Sequence, residues 1–583
     1  MQDLLERAQT WIAHDPDLAT RDELSEIVAR AVNGDEGAAK ELRDRFAGPL
    51  EFGTAGLRGV IGAGETRMNR AVVLRTTWGL AQYLIEKVEG ARARGVMIGY
   101  DARRMSREFA EDTARVLASQ GIVAHLSTIA IPTPLTAYGV KHLDAAAGVM
   151  VTASHNPPEY NGYKVYWGNG AQIIPPHDKG IAAAIERAAP ADLVPAMELA
   201  EARAKGLVRD VPPEVERAYL DAVRKLGVRD DGDRSLRIVY TPLHGVGDRL
   251  TRMALAEAGF GAVYSVPEQA EPDGAFPTVA FPNPEEKGAL DLALALAKKE
   301  SAEIILANDP DVDRLAVAVR APSGEYVQLS GNQVGTLLGH YLLTEGEKGD
   351  RIALASIVSS PQLGLIARAL GVRYEETLTG FKWIANRAME MERETGARFV
   401  FGYEEALGYT VGPLVRDKDG ISAAVVMAEL AAVLRARGKS LLDALDDIAR
   451  EHGLFVSGQR SITMPGADGI AAIKRLMVEL RGKTPEAIGG LAIEAFSDLS
   501  TGTRRTASGA VEKLALPPSD VLVYALEGGS RIIARPSGTE PKIKFYFDIR
   551  EPMQAGEAPK DAETRARAKM GALMEAFSTI AGV

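Results

Sequence analysis

The chain of 583 residues contains no cysteine. This absence excludes disulfide bonds, thiolate nucleophiles and cysteine-ligated zinc, and it fits a reducing compartment, so we expect a cytoplasmic protein. Long hydrophobic runs are also missing. The N-terminus lacks the basic start and the continuous apolar core of a signal peptide. The most apolar stretch, residues 421–434, is interrupted by Glu429 and is too short to span a bilayer. It predicts a buried helix, and we expect no membrane association.

The chain has fewer basic than acidic residues. The 68 lysines and arginines are outnumbered by 79 aspartates and glutamates, which gives a formal net charge of −11. An acidic protein is a poor candidate for general binding of nucleic acids or anionic membranes. No long basic stretch compensates for the deficit, so we expect no nucleic-acid partner. If the protein binds phosphate groups, it must gather its basic residues locally.

Apolar strand patterns and amphipathic helix patterns alternate along most of the chain, after an N-terminal helical segment in which Thr20 and Glu23 predict a capping box. Such alternation predicts α/β layers with largely parallel sheets. The predicted strands are 96–100, 146–153, 237–242, 303–307 and 397–401, and the predicted helices include 361–370 and 424–437.

The last part of the chain has a different pattern. Short strands at 521–524, 531–535 and 542–549 surround the turn 527–530. Their alternating polarity predicts an antiparallel sheet in a separate α+β domain. With the length of the chain, the patterns indicate about three to four domains.

Two motifs indicate phosphoryl-transfer chemistry. In the first, residues 152–157 (TASHNP), Ser154 follows an apolar strand in a turn bounded by Asn-Pro. A serine in such a turn can carry a phosphoryl group, although a serine after a strand can also simply cap the next helix. His155 beside it could assist proton transfer or only hydrogen-bond to its neighbours.

The second motif, residues 309–314 (DPDVDR), presents three carboxylates at alternate positions. Oxygen ligands at this spacing suit a hard divalent cation such as Mg²⁺. An EF-hand would need Gly and Glu where this chain has Arg314 and Arg320, so that interpretation fails. Apolar runs on both sides argue against a solvated acidic turn. The candidate ligands are Asp309, Asp311 and Asp313, with an oxygen of phosphorylated Ser154 as a fourth.

Residues 535–540 (RPSGTE) predict a compact anion receptor, in which Arg535 supplies a forked cation while Ser537, Gly538 and Thr539 supply hydroxyls and close backbone approach. A polar hairpin is the simpler alternative. These motifs and residues 402–408 (GYEEALG) occur in the order found in α-D-phosphohexomutases. The chain resembles that superfamily, which includes phosphoglucomutase and phosphomannomutase, from about residue 51 to about residue 549. Residues 240–247 and 276–286 resemble its phosphoglucomutase-2-like branch.

The resemblance implies roles for individual residues. Ser154 would be phosphorylated in the active enzyme, and Arg58, in the Gly-rich turn 53–59, would reach the transferring phosphoryl group. Lys418 resembles a candidate for the proton-transfer base, which requires a depressed pKa, while a surface charge run is the alternative. The anion receptor would hold the non-reacting phosphate. The residues expected at the sugar are Thr379, Gly380, Lys382, Glu404 and Glu405.

The sequence departs from many relatives beside these glutamates. Their pattern is Glu-x-Ser, whereas here Ala406 replaces the serine. The substitution removes one polar contact to the sugar and leaves the hexose preference open.

The resemblance also implies the architecture. We expect three similar α/β domains with mixed, largely parallel sheets and a C-terminal α+β domain around a central cleft. The expected limits are 1–205 with the phosphoserine loop, 206–325 with the metal-binding loop, 326–450 with the sugar-binding loops and 451–583 with the phosphate-binding loop.

Together these features predict an isomerase that interconverts a sugar 1-phosphate and a sugar 6-phosphate, with glucose or mannose as the sugar. The expected cofactors are one Mg²⁺ per chain and a sugar 1,6-bisphosphate as activator and intermediate, and the only expected partner is a small phosphosugar. The alternatives are a phosphopentomutase or a sugar-1,6-bisphosphate synthase on the same fold, and more distantly a non-catalytic phosphosugar-binding protein. The sequence does not distinguish a monomer from a dimer.

Overall fold

The computed structural model describes residues 1–54, 56–464, 467–482, 484–537 and 542–582. The chain forms two compact units. The first unit comprises Met1–Leu329 and Ala406–Ala436, and the second unit comprises Ser330–Glu405 and Arg437–Val583.

Three helices open the first unit: α1 (Gln2–His14), α2 (Leu18–Val32) and α3 (Glu36–Arg45). The predicted capping box at Thr20 and Glu23 is wrong, because α2 begins two residues before Thr20. Asp17 caps the helix by accepting a hydrogen bond from Ala19 N. The Thr20 hydroxyl instead donates to Asp15 Oδ2 at 2.8 Å. A carboxylate in front of a helix satisfies its free N–H groups as well as a hydroxyl does.

The first sheet has the strand order β1-β5-β4-β2-β3-β6. Strands β4, β2, β3 and β6 are parallel to one another, whereas β5 pairs antiparallel with β4 and the edge strand β1 pairs antiparallel with β5. The elements are β1 (Leu57–Val60), α4 (Arg70–Lys87), α5 (Ala91–Arg94), β2 (Val96–Tyr100), α6 (Ser106–Ser119), β3 (Ala124–Leu126), α7 (Thr133–His142), β4 (Ala147–Val151), β5 (Tyr160–Trp167), α8 (His177–Glu186), α9 (Leu199–Ala204), β6 (Val208–Asp210) and α10 (Pro213–Arg224), with a 3₁₀ turn at Ala191–Leu193.

The second sheet, also in the first unit, has the order β11-β10-β9-β7-β8. Strands β8, β7 and β9 are parallel, whereas β10 and β11 are antiparallel. The elements are β7 (Ile238–Thr241), α11 (Asp248–Glu257), β8 (Val263–Ser265), α12 (Pro267–Ala270), α13 (Asp291–Glu300), β9 (Ile304–Ala307), β10 (Ala316–Arg320) and β11 (Tyr326–Gln328).

The second unit begins with a parallel sheet in the order β13-β12-β14. Its elements are α14 (Gly331–Glu345), β12 (Arg351–Ser356), α15 (Gln362–Ala369), β13 (Arg373–Thr377), α16 (Phe381–Thr395) and β14 (Arg398–Glu404). Two further elements, β15 (Gly408–Val411) and α17 (Gly420–Ala436), belong to the first unit. Helix α17 is buried from Gly420 to Leu434, as its apolar sequence predicts.

The C-terminal part of the second unit is an antiparallel sheet in the order β16-β23-β22-β21-β18-β19-β20, with β17 paired to β18. Phe545, Phe547 and Phe577 lie in its core. The elements are α18 (Leu441–His452), β16 (Leu454–Thr463), α19 (Ala467–Gly482), β17 (Ala487–Ile488), β18 (Leu491–Asp498), β19 (Thr503–Thr506), β20 (Val511–Lys513), β21 (Leu522–Leu526), β22 (Arg531–Pro536), β23 (Lys542–Glu551) and α20 (Pro559–Ala581), with a 3₁₀ turn at Glu527–Gly529.

The predicted fold class is therefore confirmed: three α/β layers with mixed or parallel sheets precede a sheet-rich C-terminal domain. The predicted strands and helices are present, and their ends differ by a few residues from the expected ones. Among the described residues, no helix combines the length and the apolarity needed to cross a membrane. The domain limits and the shared cleft stay predictions.

Candidate active site

Ser154 lies in the turn that follows the buried strand β4. Its backbone is left-handed, with φ of 52°, and the residue is only 3% exposed. A non-glycine residue in this conformation costs about 1–3 kcal/mol unless its surroundings hold it. One such support is local, because Ser154 N donates to Thr152 Oγ1 at 2.8 Å. The sequence prediction of a positioned serine agrees with this geometry.

Arg103 and Asp101, which the sequence analysis missed, hold the same turn. The buried guanidinium of Arg103 donates to the carbonyl oxygens of Ser154 (2.6 Å) and Pro157 (2.8 Å), and also to that of Asn156. Asp101 accepts from the Thr152 hydroxyl at 2.6 Å. Both residues follow β2, so charged side chains directly after a predicted strand were the signal that could have identified them.

The three aspartates of the second motif follow strand β9 in the chain and are fully buried. Asp309 and Asp311 are 0% exposed and Asp313 is 1% exposed. One oxygen from each lies within 4.8 Å of the others. The Ser154 hydroxyl donates to Asp309 Oδ2 at 2.7 Å, which brings the two motifs together.

This cluster fits a hard divalent cation. In the described part of the chain, Asp311 Oδ1 and Asp313 Oδ1 are buried and have no hydrogen-bond partner. A buried anionic oxygen without a partner is costly, and a metal ion would satisfy both. Carboxylate oxygens with a serine oxygen form the donor set that Mg²⁺ prefers.

Lys164, on strand β5, is a further residue that the sequence analysis missed. Its Nζ lies 2.7 Å from Asp311 Oδ2 and 2.9 Å from Asp313 Oδ2. Burial alone would lower the pKa of Lys164, but these carboxylates outweigh it and raise the pKa. A lysine within the aromatic strand 160–167 was the available signal, because lysine is rarely buried without a partner.

The electrostatic environment differs between the carboxylates. Burial, and then repulsion from Asp311 and Asp313, raises the pKa of Asp309 well above its ordinary value. Burial acts in the same direction on Asp313, but Lys164 and Lys418 outweigh it and hold that pKa low. Asp313 therefore stays ionised, whereas Asp309 favours its protonated, neutral form until a cation is present.

The other predicted catalytic residues of the first unit converge on this cluster. Lys418 Nζ lies 3.2 Å from Asp313 Oδ2. His155 Nδ1 is 3.2 Å from the Ser154 hydroxyl, and burial, followed by the charges of nearby arginines, lowers its pKa well below the usual value. The exposed side chain of Arg58 donates from Nη1 to Asn156 Oδ1 at 3.1 Å, in the turn that carries Ser154.

The predicted sugar-binding residues lie in the second unit. Gly380, with φ of 115°, precedes α16, and its N–H donates to Glu404 Oε1 at 2.6 Å. Glu405 N donates to Ser359 Oγ at 3.1 Å. Thr379 Oγ1 is buried without a hydrogen-bond partner among the described residues, and Lys382 lies in the first turn of α16. The structure thus brings the 379–382 and 402–405 segments together.

Arg535 occupies strand β22 of the same unit, and its positive charge acts to lower the pKa of Tyr546. Burial, and then the charge of Glu405, raises the pKa of Tyr546 to about 12. Tyr546, which the sequence analysis missed within an ordinary strand pattern, therefore lies near both the glutamates and Arg535. Ser537 N donates to Lys542 O at 2.7 Å. Gly538 and Thr539 lie outside the described residues.

Comparison with known proteins finds matches over most of the chain. Three family models match the chain, each described as an alpha/beta/alpha domain of phosphoglucomutase/phosphomannomutase. Domain I matches residues 49–192, domain II matches 217–324 and domain III matches 330–452.

Curated relatives match over most of their length. A probable phosphomannomutase of Haemophilus influenzae is 45% identical over 85% of this chain and 95% of its own. Phosphopentomutase of Homo sapiens is 40% identical over 93% of this chain and 90% of its own. Glucose 1,6-bisphosphate synthase of Mus musculus is 36% identical over 92% of this chain and 89% of its own.

Among solved structures, a putative phosphomannomutase from Thermus thermophilus matches with a TM-score of 0.66 at 24% identity, covering 92% of this chain and 100% of that one. This likeness shows the fold alone.

The fold and the sequence matches together define an enzyme, a phosphosugar mutase of the isomerase class. The chain belongs to the phosphoglucomutase/phosphomannomutase family. The predicted family and enzyme class are thereby confirmed.

Proposed function

We propose that this enzyme interconverts glucose 1-phosphate and glucose 6-phosphate through a phosphorylated Ser154, and that it also acts on mannose 1-phosphate or on a pentose 1-phosphate. The observation that carries the proposal is the 2.7 Å contact between the Ser154 hydroxyl and the buried carboxylate of Asp309. It joins a nucleophile to a site that suits a divalent cation.

In the proposed reaction, phosphorylated Ser154 gives its phosphoryl group to the free hydroxyl of the sugar phosphate. The bond from phosphorus to the serine oxygen breaks and a bond to the sugar oxygen forms, while the sugar hydroxyl loses its proton to a base. The resulting sugar 1,6-bisphosphate turns over without leaving, and Ser154 then takes back the other phosphoryl group. The enzyme therefore regains its phosphoserine, and a bisphosphate added from solution serves as activator.

The residues of the first unit have distinct parts in this scheme. One Mg²⁺ per chain, held by Asp309, Asp311, Asp313 and an oxygen of phosphorylated Ser154, would supply positive charge at the phosphoryl oxygens. Arg58 adds a second positive charge at the turn. His155 and Lys418 are the candidate proton carriers, since His155 contacts Ser154 and Lys418 lies beside Asp313.

Recognition of the sugar is assigned to the second unit. Glu404 and Glu405 would accept hydrogen bonds from vicinal hydroxyls, and Thr379, Gly380 and Lys382 would distinguish their orientation. The segment from Arg535 to Thr539 would hold the non-reacting phosphate through Arg535, Ser537, Gly538 and Thr539. With Ala406 replacing a serine, one polar contact to the sugar is absent, and we expect relaxed sugar choice.

Two alternatives remain specific enough to test. The human relative named phosphopentomutase, 40% identical over most of both chains, favours a pentose 1-phosphate as the main substrate. The mouse relative named glucose 1,6-bisphosphate synthase favours net formation of a bisphosphate from another phosphoryl donor.

The deciding experiment measures kcat/KM for glucose 1-phosphate, mannose 1-phosphate and ribose 1-phosphate side by side, in the unmodified enzyme and in Ala406→Ser. The proposal predicts glucose 1-phosphate as a good substrate, measurable turnover of at least one other sugar, and a narrower preference in Ala406→Ser. If ribose 1-phosphate is preferred over both hexoses by more than about a thousandfold, roughly 4 kcal/mol, the enzyme is a phosphopentomutase. Net accumulation of bisphosphate from an added acyl phosphate or nucleotide would instead favour the synthase.

A further inference from the structure

Two histidines and a glutamate of the second unit form a cluster that shares no residue with the candidate active site. His340 lies on α14, while Glu451 and His452 form the C-terminal end of α18. One potential ligand atom from each of the three lies within 4.8 Å of the others. The two imidazole rings have centroids 6.4 Å apart and are inclined at 63°, and His452 Nε2 is 3.6 Å from Glu451 Oε1.

The potential ligand atoms of this cluster are accessible to a metal ion. His452 is 9% exposed, whereas Glu451 is an exposed residue, so the cluster opens to solvent on one side. Within the described part of the chain, neither ring nitrogen of His340 has a hydrogen-bond partner.

Two other carboxylates on these helices form ion pairs. Glu345 pairs with Arg437, and Asp447 pairs with Lys439 and Arg450. Among the described residues, Glu451 is the carboxylate that lies within ligand distance of both histidines.

We propose that His340, Glu451 and His452 form a binding site for Zn²⁺. Two imidazoles and one carboxylate are a donor set that Zn²⁺ takes in tetrahedral geometry, with water as the fourth ligand. Mg²⁺ prefers an all-oxygen environment and would not compete here. The proposal is independent of the proposed function, because it involves none of the residues assigned to the reaction.

A metal at this position would cross-link two helices of the second unit. His452 is the last residue of α18, and Gly453 follows it directly, before β16. The carbonyl of Gly453 already accepts a hydrogen bond from Gln362 Nε2 at 3.1 Å. Bound Zn²⁺ would fix the end of α18 against α14, and it would stabilise the folded protein because the unfolded chain does not hold the three ligands together.

The test uses the whole protein, stripped with a chelator and returned to a large excess of Mg²⁺ so that the oxygen-rich site is filled. Titration with Zn²⁺ should show one site per chain and raise the Tm by about 2–4 °C. Co²⁺ in place of Zn²⁺ should give the visible absorption of a tetrahedral, nitrogen-ligated ion. The double variant His340→Gln/His452→Gln should lose the Zn²⁺-dependent rise in Tm and the absorption band, with mutase activity in Mg²⁺ unchanged.

A control variant, His142→Gln, removes an exposed histidine of the first unit and should bind Zn²⁺ as the unmodified protein does. If the double variant does not fold, Glu451→Gln decides the matter, since its exposed side chain is dispensable for packing; its affinity for Zn²⁺ should fall at least about tenfold. Failure of the unmodified protein to bind Zn²⁺ in excess Mg²⁺, or equal binding by the ligand variants, would overturn the proposal.

Discussion

The hydroxyl of Ser154 lies 2.7 Å from Oδ2 of Asp309, although 155 positions separate the two residues in the chain. The contact joins the turn after β4 to the loop after β9, the carboxyl ends of strands in two different sheets. Ligand sites in α/β sheets form at such strand ends. This contact places the candidate nucleophile and the candidate metal ligands in one site.

Removal of metal should inactivate the enzyme. Exhaustive treatment with a chelator removes the cation that would offset charge on the phosphoryl group, and Mg²⁺ should restore turnover. Asp311→Asn, which deletes one anionic ligand, should raise the Mg²⁺ concentration needed for half-maximal activity at least about tenfold. The measurement is activity against Mg²⁺ concentration, with Asp3→Asn, an exposed aspartate, as control. Full activity after chelation would rule out this role for the site.

Lys164 should be essential for stability in the absence of metal. Lys164→Met leaves Asp311 and Asp313 buried without their shared cation, and breaking a buried ion pair in this way costs about 3–5 kcal/mol. Urea unfolding without Mg²⁺ measures the loss. Mg²⁺ should offset more of it in the variant than in the unmodified enzyme, because the cation neutralises the same carboxylates.

The control for this prediction is a double variant. Adding Asp311→Asn to Lys164→Met removes one of the two stranded charges, so the pair of substitutions should destabilise by less than the sum of the single changes. Strict additivity would show that Lys164 does not stabilise the protein through this carboxylate.

Arg103 should affect the rate more than binding. Its guanidinium holds three carbonyl groups of the turn that carries Ser154, and an ammonium group cannot reproduce that fork. Arg103→Lys should lower kcat about ten- to a hundredfold with little change in KM, since a misplaced nucleophile impairs transfer and not sugar recognition. The exposed neighbouring residue offers the matched control Arg104→Lys, which should have no effect. An altered KM with unchanged kcat would contradict a positioning role.

Arg535 should affect binding more than rate. If it holds the non-reacting phosphate equally in the ground state and the transition state, Arg535→Ala should raise KM with kcat nearly unchanged. A charge-assisted contact contributes about 1.5–3 kcal/mol, or about ten- to a hundredfold in KM. Arg505→Ala, an exposed arginine on β19 of the same unit, is the control. An unchanged KM in Arg535→Ala would mean that other residues hold this phosphate.

The features that the sequence predicted correctly are local ones. Strands such as β2, β4 and β9 are short apolar runs bounded by turn residues, so their pattern does not depend on distant partners. The spacing of Asp309, Asp311 and Asp313 indicates a metal site without knowledge of the fold, and their ligation of a metal stays a prediction. Their burial also followed from the apolar runs on either side.

The features that were missed depend on contacts between distant segments. Lys164 reaches the aspartates because β5 pairs antiparallel with β4, in a register that places Lys164 opposite Met150. Nothing within the strand itself specifies that register. Arg103 and Tyr546 likewise acquire their significance only from the turn and the side chains against which they pack. The wrong cap at Thr20 has a different cause, because a residue in front of it, Asp17, was an equally good candidate.

The most direct test of the central claim measures where the enzyme carries phosphate. The purified enzyme is incubated with glucose 1,6-bisphosphate and Mg²⁺, digested, and analysed by mass spectrometry. The account predicts one added phosphoryl group on the peptide that contains Ser154 and none in Ser154→Ala. When this group carries an isotopic label and the phosphorylated enzyme is mixed with glucose 1-phosphate, the label should move to the sugar phosphate. Ser154→Ala should also lose at least about a thousandfold in turnover, roughly 4 kcal/mol, while Ser25→Ala, an exposed serine on α2, stays active. Full activity of Ser154→Ala, or a transferable phosphoryl group on another residue, would contradict the account.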